Sequence, residues 1–158
     1  MCADKDLGNE AKAAHYFKLG YNTTVAPFYE WHEGVGHEGS SAQGAPNFIT
    51  GAGGWLQSVS IGYGGLRWER PGVLTLRDPQ PLPNSTALKL RGVVFLGARL
   101  DIVATSEGWT VALSASVPGA ISAPVLELLS DSEVPVPLTL TPVSRGRGTV
   151  GYVRVSAK

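Results

Sequence analysis

Residues 27–66, reading PFYEWHEGVGHEGSSAQGAPNFITGAGGWLQSVSIGYGGL, gather most of the groups in this chain that could do chemistry. Glu30, Trp31, His32 and Glu33 are consecutive, His37 and Glu38 follow closely, and Trp55 comes later. Carboxylates set among large aromatic rings suit neutral sugars, whose C–H faces stack on the rings while the carboxylates take hydroxyl protons. Solvated loop glutamates are the ordinary reading of the same residues, because charged side chains are mostly exposed. Composition and spacing alone leave both open.

Other chemistries fit less well. The pair His32-Glu33 followed by His37 lacks the zinc-protease arrangement, which needs histidines four apart on one helical face; these are five apart across Gly34 and Gly36. Gly51 and Gly53 begin a dinucleotide fingerprint that fails at Leu56, and no buried strand precedes them. No serine or cysteine stands in a nucleophile elbow. The reading therefore expects no metal and no cofactor.

Two helices are expected around this stretch. Over residues 6–19, Leu7, Ala11, Ala14 and Tyr21 follow a helical spacing, with Asp4 or Asp6 as N-cap, Lys18 at the negative end of the dipole and Gly20 as a left-handed terminator. Residues 21–45 read as a long loop rich in glycine and serine but weighted with aromatics. Over 47–61 a second stripe returns, with Phe48, Ala52, Trp55 and Val59 on one face and Ile49, Gly53 and Leu56 on the next, predicting a helix buried on more than one side. Its glycines at 51, 53 and 54 each cost about 1 kcal/mol in a helix interior, which close packing must recover unless the helix starts after Gly54. Gly62, Gly64 and Gly65 are expected to end it.

After Pro71 the pattern alternates, predicting strands at 74–77, 88–91, 100–102, 111–113, 125–129, 137–141 and 149–155. Seven or so short strands between turn residues suggest an antiparallel sandwich, with Pro79, Pro81, Pro83, Pro118, Pro124, Pro135 and Pro137 at turns or edges.

With 158 residues, 43% of them apolar, the chain has room for one ordinary domain or two small pieces and can bury a core. Thirteen basic and thirteen acidic residues balance, so no broad field draws nucleic acid or an anionic membrane. Cys2, the sole cysteine, excludes an internal disulfide and a multi-cysteine metal site. The charged N-terminus has no signal-like apolar core and no run is long enough to span a bilayer, so the chain reads as cytoplasmic. The Asn22 and Asn84 N-x-[ST] triplets carry little without a secretory route.

The runs APFYEWHEG, NFITGAGGWLQSVSIGYGGLR and LTLRDPQPLP leading into LKLRGVVFLGARLDI resemble the C-terminal part of glycoside hydrolase family 65, most of all its acid trehalase-like branch. The resemblance begins at the first helix, LGNEAKAAHYF, and extends into the β-rich tail. It implies a mixed α and β fold: residues 1–69 as the incomplete last helices of an (α/α)6-barrel catalytic domain, and 70–158 as a small antiparallel β-sandwich. The activity it implies is that of an inverting α-glucosidase removing glucose from glucosyl-galactosyl-hydroxylysine units of collagen-type proteins. The substrate would be a glucosylated glycopeptide or disaccharide.

The family's late glutamate, in a Trp-x-Glu setting after Pro-Phe, falls on Glu33, making Glu33 the candidate general base. Glu30, in the same aromatic loop, is its rival, and Trp31 and His32 become substrate-binding and wall residues. Related phosphorylases hold phosphate in this region, whereas WHEG with NFITG behind it resembles the hydrolytic branch. The general acid belongs to earlier barrel segments, expected upstream of this chain. The alternative class is a non-catalytic module serving folding, binding or interaction.

Overall fold

Asn9 opens the first helix by accepting a hydrogen bond from the Lys12 N–H at 3.3 Å, satisfying one of the helix's orphan donors. The computed structural model describes residues 8–28, 30–32, 48–114, 126–129, 134–139 and 141–155; Asp4 and Asp6, the expected caps, lie outside that set. Helix α1 runs Glu10–Tyr21, with Glu10 in its first turn and Lys18 in its last, as the helix dipole favours. Ala13 and Phe17, four apart, are its buried residues, whereas Ala11 and Tyr21 of the expected stripe are exposed. The helix is rotated from its predicted setting because Phe17, with far more apolar surface than any alanine, decides which face turns inward.

The region expected to be loop holds a short ladder. Strands β1 (Thr24–Val25) and β2 (Glu30–Trp31) pair antiparallel, Thr24 opposite Trp31 and Val25 opposite Glu30. Helix α2 (Ile49–Gln57) follows and passes into a π-helical turn, Ser58–Tyr63. It starts before its glycines, not after Gly54. Nor is it buried on more than one side: none of its residues is buried, and Ile49 and Leu56 are 81% and 59% exposed. The face carrying Ala52 and Trp55 is the half-covered one.

The chain divides into two compact units, Met1–Gly62 and Tyr63–Lys158. Among the described residues, the regular structure of the second after the π-helical turn is all sheet. Strands β3 (Leu66–Arg70), β4 (Val73–Arg77), β5 (Ala87–Phe95), β6 (Ala98–Thr105), β7 (Gly108–Leu113), β8 (Leu126–Leu129), β9 (Val136–Pro137), β10 (Val143–Gly146) and β11 (Val150–Val155) form two antiparallel sheets. Their orders are β10-β7-β6-β5 and β3-β4-β11-β8-β9. The class is thus mixed α and β, with short helices and several antiparallel sheets. Gly65 turns the chain into β3 at φ +68°, and a Cβ there would overlap the Arg77 backbone, whose N–H donates to the Gly65 carbonyl at 2.9 Å.

Alternation builds this core. In β6, Ala98, Leu100, Ile102 and Ala104 are buried while Arg99, Asp101, Val103 and Thr105 point the other way. Trp109 on β7, 1% exposed, reaches across to β11, where Gly151 leaves room for its ring. Pro137 sits in an edge strand, where its missing N–H does no harm. Among the described residues, no helix is long and apolar enough to cross a membrane.

A bulge between Leu90 and Val93 interrupts the pairing of β5 with β6. The Asp101 carboxylate settles it, accepting the Gly92 N–H at 2.8 Å and the Ser114 hydroxyl. These bonds, the Ser114 hydroxyl foremost, hold the Asp101 carboxyl below its ordinary value. A depressed folded-state value contributes stability above the unfolded value of about 3.9, and that contribution is lost as pH falls through the folded value. Asp101→Asn is therefore expected to lower the urea midpoint at neutral pH and to flatten the loss of stability as pH falls below the unfolded value of about 3.9. Superimposable pH profiles for the two proteins would contradict this.

Candidate active site

The last turn of a helix exposes carbonyls with no partner inside the helix. In α1 these are met by side chains from residues that follow. The Gly20 carbonyl accepts the Thr23 hydroxyl at 2.6 Å and the Trp31 indole N–H at 3.1 Å, and the Tyr21 carbonyl accepts the Thr24 hydroxyl at 2.9 Å. The Trp55 indole N–H stands 3.5 Å from the Phe17 carbonyl, at the long limit of a hydrogen bond.

Gly20 is helical, not the left-handed terminator predicted, and the helix closes on Asn22, whose N–H donates to the Lys18 carbonyl at 2.9 Å. Glycine serves there for want of a side chain: a Cβ would occupy the space of the Trp55 indole. That indole stacks on Phe17, with ring centroids 5.2 Å apart, and tilts against Tyr21 at 6.4 Å.

Trp31 is held at its ring as well as at its N–H. It stacks on Phe48, centroids 6.3 Å apart, and both rings close over Gly51, where a Cβ would overlap them. Close packing thus explains Gly51, while Gly53 and Gly54 face open space. The His32 N–H donates to the Thr23 carbonyl at 3.1 Å, so the backbone is pinned on both sides of Trp31.

Glu30 and His32 come together: His32 Nε2 lies 3.8 Å from Glu30 Oε2, with the imidazole 15% and the carboxylate 44% exposed. That separation is too long for a hydrogen bond, and Nε2 has no hydrogen-bond partner. An accessible carboxylate beside an imidazole held by its backbone can accept a proton or bind hydroxyls. Glu33, His37 and Glu38 lie outside the described residues. Among the described residues, no group of three His, Cys, Asp or Glu could hold a metal ion. Gly20, Thr23 and Phe48 hold this segment in place. Gly20 and Phe48 stand out in the sequence for other reasons and Thr23 does not, because the Trp31 contacts join residues eleven or more apart along the chain.

Three relatives set this geometry in context. Protein-glucosylgalactosylhydroxylysine glucosidase of Danio rerio is 37% identical over 102 residues, covering 65% of this chain and 14% of the relative. The Gallus gallus protein of the same name is 31% identical over 110 residues, 69% of this chain and 14% of the relative. At the level of family, the chain matches glycoside hydrolase family 65. Another sugar hydrolase, the kojibiose hydrolase of Mucilaginibacter mallensis, is 36% identical over 88 residues, 55% of this chain and 12% of the relative. No family model matches the chain, and no solved structure does. Homology to family 65 sugar hydrolases is thus carried by a stretch about one seventh as long as the glucosidases, 14% of each of the first two.

The packing at Gly20 separates the glycines by experiment. Alanine at Gly20 gains helix propensity of about 1 kcal/mol but meets an indole, and overpacking costs about 1–3 kcal/mol. Gly20→Ala is expected to lower the urea midpoint read by helical circular dichroism. Gly53→Ala, with nothing within 4 Å of its new methyl, is expected to raise the midpoint, for a gain in stability of up to about 1 kcal/mol. A more stable Gly20→Ala protein would show that the Trp55 contact does not require glycine.

Proposed function

We propose that this chain is the C-terminal segment of an inverting α-glucosidase that removes glucose from glucosyl-galactosyl-hydroxylysine units of collagen-type proteins. In this reading residues 1–69 supply the last helices of an (α/α)6 barrel, and residues 70–158 form the β-sandwich that follows in the sequence. The identity to protein-glucosylgalactosylhydroxylysine glucosidases supports the substrate, 37% over 102 residues in one case. Exposed apolar side chains in the first unit support the barrel: Phe28 and Ile49 are each 81% exposed and Leu56 59%, a surface suited to further helices.

The observation that carries the site is the anchoring of Trp31 on the Gly20 carbonyl and the Phe48 ring, which holds the Glu30–His32 run immediately before Glu33. Glu33 acts as general base, drawing a proton from the water that attacks the anomeric carbon. A carboxylic acid contributed by earlier barrel segments protonates the leaving oxygen from the opposite side. In inverting enzymes the two carboxyls stand roughly 6.5–9.5 Å apart to admit that water. Glu30, paired with His32, is the rival base and otherwise binds sugar hydroxyls with Trp31 and His32 beside it.

Two measurements test this. In the longer enzyme, Glu33→Gln is expected to cut glucose release from a glycosylated hydroxylysine peptide by about 10²–10⁴-fold with circular dichroism unchanged, since an amide cannot take water's proton. Glu30→Gln is expected to act mainly on KM. The reverse pattern would move the base to Glu30, and normal turnover in both would end the assignment. By itself, this chain is expected to release no glucose from that peptide, because acid and base act as a unit. Measurable release from the purified chain would contradict the division of the site.

A further inference from the structure

Away from the candidate active site, the outer face of the four-stranded sheet carries a groove of about 420 Å³, within the size range of ligand sites. Its lining follows from the strand register. Lys89, Val103 and Thr110 stand opposite one another across β5, β6 and β7, and Asp101 stands opposite Ala112 in the neighbouring row. Val103, Ala112, Leu113 and Pro142 make an aliphatic floor and flank, while Lys89 and Arg91 rise along one side.

The charges do not cancel. Among the described lining residues, Lys89 and Arg91 face one carboxylate, Asp101, which is already engaged by the Gly92 N–H and the Ser114 hydroxyl. Both cations are exposed and line the groove two residues apart on β5, Arg91 at the bulge that follows Leu90, with about 6.7 Å between them at the usual strand rise. Acidic side chains at alternate positions of an extended peptide have that same spacing. Among the described residues, none that lines the groove is aromatic, so none of them offers a ring on which a sugar could stack.

We propose that this groove binds an extended acidic peptide, with carboxylates two residues apart on Lys89 and Arg91 and the side chain between them turned the other way. Binding there is independent of the proposed glucosidase reaction and draws on no residue of the candidate active site. Its strength depends on salt, because the cations stand in water.

Fluorescence anisotropy of a labelled, capped (Glu-Ala)4 peptide with the whole chain tests it, beside (Gln-Ala)4, (Lys-Ala)4 and inorganic polyphosphate as a competitor. The acidic peptide is expected to bind more tightly than either control and to weaken as salt rises. Lys89→Gln with Arg91→Gln is expected to weaken it by about fivefold or more, and each single change by less, with circular dichroism unaltered. Equal binding of the acidic and glutamine peptides would overturn the proposal, as would unchanged affinity in the double variant. Displacement by polyphosphate at lower concentration than by unlabelled peptide would show a general anion site and overturn the peptide assignment.

Discussion

A helix that ends inside a folded unit must find partners for its last carbonyls, and in this protein that requirement organises the first unit. The carbonyl of Gly20 is shared by the Thr23 hydroxyl and the Trp31 indole, and the Cδ1–Nε1 edge of the Trp55 indole takes the space that a Cβ on the same residue would fill. One residue thereby ties α1 to β2 and to α2. The stacking of Trp55 on Phe17 and of Trp31 on Phe48 follows from those positions, as does the need for glycine at residue 51. The carboxylate and imidazole at Glu30 and His32 are thus presented by a segment fixed through its neighbour's ring.

Much of this was legible in the residues, though not the parts that depend on distant contacts. Both helices fall where periodicity predicts them, and Phe48, Ala52, Trp55 and Val59 do mark the more covered side of α2 and the turn after it. The register of α1 was missed because an alanine-rich segment has several weak stripes. Phe17 selects among them through Trp55, thirty-eight residues later. β1 and β2 have two residues each, too few to show any period. Strand β3 exposes Trp68, Glu69 and Arg70, and β10 carries Ser144 and Arg145 at central positions, so neither reads as a half-buried strand. The central strands β4 to β7 alternate or run apolar, and they were found.

The second unit meets a different constraint, burial of the apolar side chains that its two sheets carry. Trp109 is the largest side chain buried there and packs over Gly151, and Leu74, Leu76, Leu100 and Leu126 are buried as well. On the other face of the five-stranded sheet, Arg154 pairs with Glu127 at 2.7 Å directly across strands β11 and β8, which satisfies a carboxylate that is 9% exposed. This unit carries none of the residues weighed for sugar hydrolysis. Its sheet face with Lys89 and Arg91 has a chemistry of its own.

The dependence of the Glu30–His32 run on the Trp31 indole is most directly tested by amide hydrogen exchange in a Trp31→Phe chain. Phenylalanine keeps a ring against Phe48 but has no N–H for the Gly20 carbonyl. Protection of the His32 amide, which donates to Thr23, should fall by about two- to thirteenfold if the indole bond is worth the usual ~0.5–1.5 kcal/mol, while protection in β6 and β7 stays as it was. A His32 amide that exchanges as slowly as in the parent chain would mean that the segment is held by other means, and the Gly20 carbonyl would lose its organising role.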